Sequence, residues 1–437
     1  MNPSIEQSTL KKTTWRIAPF VMFAYFIAFF DRINIGFAAL TMNQDLGFSS
    51  SVFGLGAGLF FIGYFITDIP SNIILHKVGP RIWLARIMIS WGIIAGCMMY
   101  VKTASGFYIL RFLLGVAEAG FFSGIILYLG TWFPIKRRAR VIAFFMAAAP
   151  MSSMIGSPLA AGILSLHGLF GIKGWQLMFL LDAVAAILLG IFTFFYLNDR
   201  PEKNSWLNKE ETQWLTTTLN EENKDKKYQA KSSIWTGLTD IRVLTLAVVY
   251  FGTSAGLYSL SIWSPQFIKS FGLSTLQIGF INAIPAALTI VAMILWAQHS
   301  DKTRERVWHV VGACLFASAG FILAGSVHSL LPAIIALIIA SVGISSAKPP
   351  LWSIPSLFLQ GPAAAAGIAA INSIGNLGGF AGPALIGWLK DATGDFSLAL
   401  YGVAAMLVAS AALTLSLSIH RKRKTVDNSP GMMAGRK

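Results

Sequence analysis

Charged side chains are scarce in this sequence: Asp, Glu, Lys and Arg make up 12% of 437 residues, against 55% hydrophobic ones. Soluble domains are about 25% charged, so a chain this poor in charge cannot clothe itself for water, and lipid is the solvent for most of its length. A soluble enzyme, a nucleic-acid-binding domain and a secreted scaffold are excluded on that ground. Cysteine is rarer still. Cys97 and Cys314 each fall inside a hydrophobic stretch without C-x-x-C spacing, which leaves no disulfide framework or thiolate metal site and reads as two small buried apolar residues. The histidines His76, His167, His299, His309, His328 and His420 stand at the ends of apolar runs or between them. No mid-membrane imidazole relay, metal site or cofactor is therefore expected. The sequence also has no G-x-x-x-x-G-K-S/T phosphate loop and no H-E-x-x-H pair, which argues against ATP-driven transport and against an intramembrane enzyme.

What the chain does have is apolar length. Runs over 17–40, 52–74, 82–101, 106–132, 141–166 and 175–197, then 243–268, 276–298, 307–326, 331–357, 364–389 and 396–419, are each long enough to cross a bilayer as a helix. The first is too long for a signal-peptide core and contains Asp31 and Arg32, so it is read as a retained span. The expected fold is an all-α membrane protein of twelve transmembrane helices. Residues 1–197 form an N-terminal six-helix half, 198–242 a cytoplasmic linker, 243–420 a C-terminal six-helix half and 421–437 a basic cytoplasmic tail. In the linker, eight acidic residues balance eight basic ones. An amphipathic helix is expected there around 206–219, behind the cue Asn208-Lys-Glu-Glu, with the mixed charges read as a solvated face.

The formal net charge of +15 belongs to topology rather than to nucleic acid, because the basic residues punctuate hydrophobic runs instead of sharing one surface. Short connections of one parity hold Lys11, Lys12, Arg16, Lys77, Arg81, Arg86, Lys136, Arg137, Arg138, Arg140, Lys302, Arg304, Arg306 and the run Arg421 to Lys424, 17 in all, while the other parity holds only Lys102, Lys173, Lys269 and Lys390. The excess of positive charge on the inner side puts both termini in the cytoplasm.

An offset of 225 superimposes short motifs of the two halves. Gly47-Phe-Ser49 with Gly54 falls on Gly272-Leu-Ser274 with Gly279, and His76-Lys-Val-Gly-Pro-Arg81 falls on Asp301-Lys-Thr-Arg-Glu-Arg306. Likewise Gly156-Ser-Pro158 with Gly162 falls on Ala381-Gly-Pro383 with Gly387. Parallel halves of this kind are a transporter architecture, with the substrate site at mid-membrane between them.

The sequence resembles the major facilitator superfamily, and within it the anion:cation symporters that include bacterial tartrate, phthalate, hydroxyphenylacetate and sugar-acid permeases. The resemblance covers essentially the whole chain. It is carried by Phe30-Asp31-Arg32-Ile-Asn34-Ile-Gly36-Phe37, Ile69-Pro70-Ser-Asn72, Arg111-Phe-Leu-Leu-Gly115-Val-Ala-Glu118-Ala-Gly120-Phe, Trp132-Phe-Pro134 and Ile371-Asn372-Ser-Ile-Gly375-Asn376-Leu-Gly-Gly379. The superfamily's Gly-x-x-x-Asp-Arg/Lys-x-Gly-Arg loop is degraded in the first copy, where His76 replaces the aspartate, and keeps Asp301-Lys302 in the second.

Ionisable groups inside spans cost a few kcal/mol each at mid-depth, which singles out Asp31, Arg32, Asp68, Arg111, Glu118, Asp182 and Lys348. At 1.5 Å of rise per residue, Asp31, Arg32, Arg111 and Glu118 share one band of depth, about 8 to 18 Å inside the outer end of their helices. They are either a structural network or a binding and coupling site, and arginine's planar fork favours the second. The resemblance implies that Asp31 and Glu118 accept protons and that Arg32 and Arg111 govern anion binding. Tyr64 lies level with Glu118 as a hydrogen-bond donor or a packing aromatic. Asn372 and Asn376 are one turn apart and either read substrate hydroxyls or join helices. Trp352 offers a stacking face. Lys348 reaches a second substrate carboxylate or snorkels from a helix broken at Pro349-Pro350. Asp68 and Asp182 are read as structural, bonding freed backbone or neighbouring loops.

The function this implies is proton-coupled uptake of a small organic carboxylate such as tartrate, an aromatic acid or a sugar acid. The setting is a bacterial inner membrane, and a monomer with protons, the organic anion and the lipid bilayer as its partners is expected. A passive organic-anion facilitator and a non-transporting sensor are the alternatives.

Overall fold

The structure is a computed structural model that describes residues 3–228, 234–359 and 361–427. Its helices, in chain order, are α1 (Pro3–Leu46), α2 (Ser50–Val78), α3 (Pro80–Cys97), α4 (Ala104–Glu118), α5 (Phe121–Trp132), α6 (Ile135–Met146), α7 (Ala148–Ser165) and α8 (Gly174–Tyr196). After these come α9 (Lys209–Tyr228) and α10 (Ile234–Thr239), then α11 (Ile241–Lys269), α12 (Thr275–Thr303), α13 (Val307–Ser326), α14 (Leu330–Ser353), α15 (Gly361–Asn376), α16 (Gly378–Thr393) and α17 (Ser397–Asp427). No strand occurs among the described residues. Part of the basic tail, from position 428 onward, lies outside them.

The twelve expected spans correspond to these helices, with three spans interrupted. The fourth runs through α4 and α5, the fifth through α6 and α7, and the eleventh through α15 and α16. Among the described residues, eleven stretches are long and apolar enough by themselves to cross a membrane; the eleventh expected span, split at Leu377 into two 16-residue helices, is the one not among them. The expected break at Pro349-Pro350 is not found. Those prolines lie inside α14, which continues to Ser353 and ends in a 3-10 turn at Pro355–Leu357. Lys348 is therefore a mid-helix residue and not a residue at a chain break. Cys314 is buried as expected but Cys97 is exposed: it ends α3 on an outward face, where a small apolar residue meets lipid as readily as it packs inside.

The motifs that the 225-residue offset brings into register turn out to be packing partners. Gly54 of α2 presses its bare Cα against the Pro383 carbonyl and Gly387 of α16, where an added Cβ would lie 2.5 Å from Pro383 O. In the mirrored contact Gly279 of α12 meets Ser157, Pro158 and Ala161 of α7, with an added Cβ 2.4 Å from the Ala161 methyl. Small residues allow this approach. Bonds reinforce both contacts. Asn282 Nδ2 donates to Ser157 Oγ at 3.0 Å, and the Ser50 and Ser51 amides donate to the Asp391 carboxylate at 2.9 and 2.7 Å. The Lys269 ammonium adds a bond to Leu40 O. Among the described residues, every side-chain hydrogen bond between α1–α8 and α11–α17 lies at this end, near the Gly47 and Gly272 turns, except that of Arg32 with Tyr258 deeper in the bundle.

Asp391 lies in the last turn of α16, past the apolar run, at the positive end of α2. Burial pushes its carboxyl up, but hydrogen bonds from the Ser51 side chain and backbone, from Ser49 and from the Ser50 amide outweigh this and hold it at about 2. The contact is therefore complete above the usual aspartate value and weakens only as pH falls through about 2. It stays ionised throughout the physiological range. A wedge is the effective perturbation: Gly54→Leu is expected to hold α2 off α16 and keep this end open. A single cysteine placed beside the contact at position 51 should then label with a membrane-impermeant maleimide several times faster than in the parent, and unchanged labelling would show that the helices accommodate the side chain.

The linker helix starts at Lys209 rather than near Trp206 because Asn208 caps it. Glu211 N–H donates to Asn208 Oδ1 at 2.7 Å and Asn208 N–H to Glu211 Oε2 at 3.0 Å, a reciprocal capping box. Glu211 does not belong to a solvated face, as its charge had suggested. It is buried and accepts from Lys12 Nζ at 2.8 Å and Ser8 Oγ at 2.7 Å, and Trp206 stacks on Trp132 at 5.3 Å. These contacts fasten α9 to α1 and α5.

Candidate functional site

The site begins where the fourth span breaks. Glu118 is the last residue of α4, and Gly120 takes the left-handed conformation, φ +86°, that only glycine adopts without strain. A side chain there would also strike Ser71 Oγ at 2.2 Å. The break frees backbone groups inside the membrane, where each must find a partner. Helix α2 supplies them: Asp68 Oδ1 accepts from Gly120 N–H at 3.1 Å and from Ser123 Oγ at 3.0 Å, and Ser71 Oγ donates to Ala119 O at 2.7 Å. Asp68 thus has the backbone-bonding role expected of it. Gly63 and Gly115 let α2 and α4 touch backbone to backbone, since a Cβ on Gly115 would lie 1.9 Å from Phe60 O. That approach sets Phe60 and Tyr64 beside Arg111 and Glu118.

Of the four charges expected at one depth, Arg32 and Glu118 pair directly. Arg32 Nε donates to Glu118 Oε1 at 2.9 Å and Nη2 donates to the same oxygen, while Nη1 donates to Tyr258 Oη at 3.2 Å. Glu118 is fully buried, and its Oε2 has no hydrogen-bond partner among the described residues. Arg111 is 2% exposed and, among the described residues, has no carboxylate within 4 Å and no acceptor for Nε; Nη2 donates to Ala57 O at 3.3 Å. Asp31 and Glu118 are the acids whose charges bear on it. The Phe60 ring lies 5.3 Å from the Arg32 guanidinium and 5.2 Å from that of Arg111, and the Tyr64 ring 5.2 Å from Arg32. Tyr64 is buried and presents its ring to a cation. Aspartate 182 departs from its expected role: it meets Asp31 rather than freed backbone, and Asn34 Nδ2 donates to its Oδ2 at 3.2 Å.

On the other side, Tyr258 packs on Phe61 at 4.2 Å while it holds Arg32. Two turns earlier on α11, Tyr250 makes an edge contact with Trp352 at 5.0 Å. Lys348 lies one turn before Trp352 on α14, half-buried, with no hydrogen bond or ion pair among the described residues. Asn376 Nδ2 donates to Asn372 Oδ1 at 3.2 Å, and both are half-buried on α15 just before the break at Leu377. The site residues named from sequence therefore lie on α1, α2, α4, α14 and α15. Arg32, Glu118, Arg111 and Tyr64 are joined through direct contacts and Phe60. Lys348, Trp352, Asn372 and Asn376 have no direct bond to them.

Residues 21–383 match the Major Facilitator Superfamily. The chain belongs to that family. Over 418 residues it is 61% identical to a "Putative tartrate transporter" of Agrobacterium vitis, covering 96% of each chain. It is 34% identical to the Inner membrane transport protein RhmT of Escherichia coli K12 over 96% of its own length and 98% of that protein's. Among solved structures, the xylose transporter XylE from E. coli in a partially occluded inward open conformation superposes with a TM-score of 0.75 at 14% identity, over 93% of this chain and 98% of that one. This last likeness is one of fold.

The protein is thus a multi-pass membrane transporter of a small molecule and not an enzyme. In this superfamily member the degraded first loop motif has a carboxylate close by. Asp199, beyond α8, accepts from Arg81 N–H at 2.9 Å and lies against Gly79. The second copy keeps its own, with Arg306 and Asp301 2.6 Å apart. Sequence reasoning missed Phe60, Tyr250 and Tyr258. Their signal was weak because aromatic residues within apolar spans are ordinary core. Only contact with Arg32 and Trp352 distinguishes them.

Proposed function

We propose that this transporter is a proton-coupled symporter that takes up a small hydroxylated dicarboxylate of the tartrate kind, with both termini and the linker in the cytoplasm. The observation that carries the reading is the Arg32–Glu118 pair, in which two of the three engaged Arg32 nitrogens fall on one carboxylate oxygen and the other oxygen lacks a donor among the described residues. A substrate carboxylate that takes over the Arg32 fork leaves Glu118 buried without its cation, and a carboxylate in that position holds a proton. Anion and proton thus enter together, and the neutralised site is cheaper to close and move. Release toward the less acidic side reverses both steps. Asp31, whose charge bears on Arg111, serves the same exchange.

Lys348 supports a second carboxylate. It is a cation without an acid partner on the face of α14 that carries Trp352, and the Trp352–Tyr250 and Tyr258–Arg32 contacts join that face to the Arg32 end. Asn372 and Asn376 offer amides to the hydroxyls between. The name of the 61% identical relative points to the same substrate. Movement of α1–α8 against α11–α17 about the contacts near Gly54 and Gly279 would give alternating access.

The test is counterflow in proteoliposomes against tartrate, hydroxyphenylacetate, phthalate and a sugar acid, followed by uptake with and without a protonophore. Tartrate is expected to exchange best and its accumulation to collapse with the protonophore. Accumulation indifferent to protonophore would make the protein a passive facilitator. Topology has its own check: a reporter fused after Lys437 should be active only in the cytoplasm, and periplasmic activity would reverse the assignment that rests on 17 basic residues against four.

A further inference from the structure

Two buried acids lie together in this molecule, and only one of them belongs to the proposed coupling site. Asp31 of α1 and Asp182 of α8 are 1% and 2% exposed and face each other where α1 packs on α8, close enough for the charge of Asp31 to bear on Asp182. Asn34 Nδ2, one turn beyond Asp31, donates to Asp182 Oδ2 at 3.2 Å. Asp182 Oδ1 and Asp31 Oδ2 are both buried without a donor among the described residues. Among the described residues neither acid has a cation within 4 Å, and the ion pair of this part of the molecule goes to Glu118.

Two carboxylates in contact cannot both be ionised where water is excluded, because neither has a hydrogen to offer the other and their charges repel. A single proton removes both difficulties. It turns one carboxylate into a donor, joins the pair and leaves one negative charge. We propose that Asp31 and Asp182 form one proton-holding pair, so that the proton assigned to Asp31 is shared across the α1–α8 contact. Asp182 is then a positioning residue for the proton.

The charged groups around the pair determine how the proton comes and goes. On α1 the neighbour is Arg32, turned to Glu118 and Tyr258. On α4 they are Arg111 and Glu118, whose charges bear on the two acids. Helix α7 has no ionisable residue, and those of α3, Arg81 and Arg86, lie in its first turns. Arg111 is thus the nearby cation without a carboxylate partner. When Arg111 is drawn to a substrate anion, the pair keeps its proton. When the substrate leaves and Arg111 turns back, the pair loses it. One proton enters and one leaves per cycle, with no other bond made or broken.

The inference rests on the symport reading, so its test includes a measurement that does not depend on transport. The protonated-carboxyl C=O band of the full chain in liposomes is titrated by infrared difference spectroscopy in the parent, Asp182→Asn and Asp182→Glu. The parent should show a component that Asp182→Asn loses at a pH lower by about one unit or more, the least interaction that makes two sites titrate as a pair. Asp182→Glu, which keeps an acid but displaces it by a methylene, should shift the component's frequency. An unmoved band in Asp182→Asn overturns the pair, and an unshifted band in Asp182→Glu does so even if the asparagine variant fails to fold. In transport, Asp182→Asn should keep counterflow and lose about tenfold in pH-driven accumulation, the factor that one unit represents. Equal loss of both would make Asp182 a packing residue only. If the parent does not accumulate substrate under an imposed pH gradient, the symport reading fails by itself, and the infrared result still decides the pair.

Discussion

Glu118→Gln is expected to exchange substrate across the membrane and to accumulate none. The amide is close to the protonated acid in size, so the broken fourth span keeps its packing and Gly120 keeps its bond to Asp68. What disappears is the charge that Arg32 grips with two donors. In the native protein, substrate must displace Glu118 from Arg32, and that displacement ties the anion to a proton. With glutamine the fork is permanently available. Binding should tighten and lose its pH dependence, counterflow should persist, and accumulation under a pH gradient should fall to the equilibrium level. Counterflow and gradient-driven uptake measured in one purified preparation decide the matter. Full accumulation by Glu118→Gln would remove Glu118 from the coupling path and leave the proton to Asp31 and Asp182.

Arg32→Lys is expected to lose uptake almost completely although it preserves the charge. The guanidinium uses three nitrogens at once, two on Glu118 and one on Tyr258, while its face lies over Phe60 and Tyr64. An ammonium is a point charge on a flexible stem and cannot reproduce the fork or the stacked plane. Charge-assisted hydrogen bonds contribute about 1.5 to 3 kcal/mol each, so loss of one or two weakens substrate binding about a hundredfold. Among the described residues, the bond to Tyr258 is the sole side-chain hydrogen bond between α1–α8 and α11–α17 away from the Gly47 end, so the lysine variant should also bind without closing. Calorimetry with tartrate beside initial uptake rates would separate the two effects. Near-normal uptake would reduce Arg32 to a counter-ion of Glu118.

Much of the architecture was legible because lipid makes simple demands. Backbone groups in hydrocarbon must bond within their own helix, so apolar runs mark the spans directly. The repeat was legible too, but its meaning was not. Glycines at 54 and 279 align in sequence because of duplication, and only the folded molecule shows that each packs against the other half's aligned motif at 387 and 158. Interruptions were read less well. Pro349-Pro350 suggested a break and produced none, whereas the span carrying Glu118 breaks at Ala119-Gly120. The difference lies in tertiary partners. Asp68 and Ser71 are placed to receive the freed backbone of α4, and without such partners a membrane helix cannot stop.

The sequence by itself determined that this chain lives in lipid as a bundle of helices, which charges are buried in it, and that Arg32, Arg111, Asp31 and Glu118 share a depth. Those facts depend on composition, helical rise and the cost of charge in hydrocarbon, which act along one chain. Tertiary structure decided the pairing: Arg32 rather than Arg111 holds Glu118, Tyr258 reaches across to Arg32, Asp199 meets the Arg81 amide, and Asp182 faces Asp31. Depth is one coordinate. Which faces of α1, α4, α8 and α11 turn toward one another is set by the close approach of residues far apart in sequence, and no spacing within a single helix specifies it.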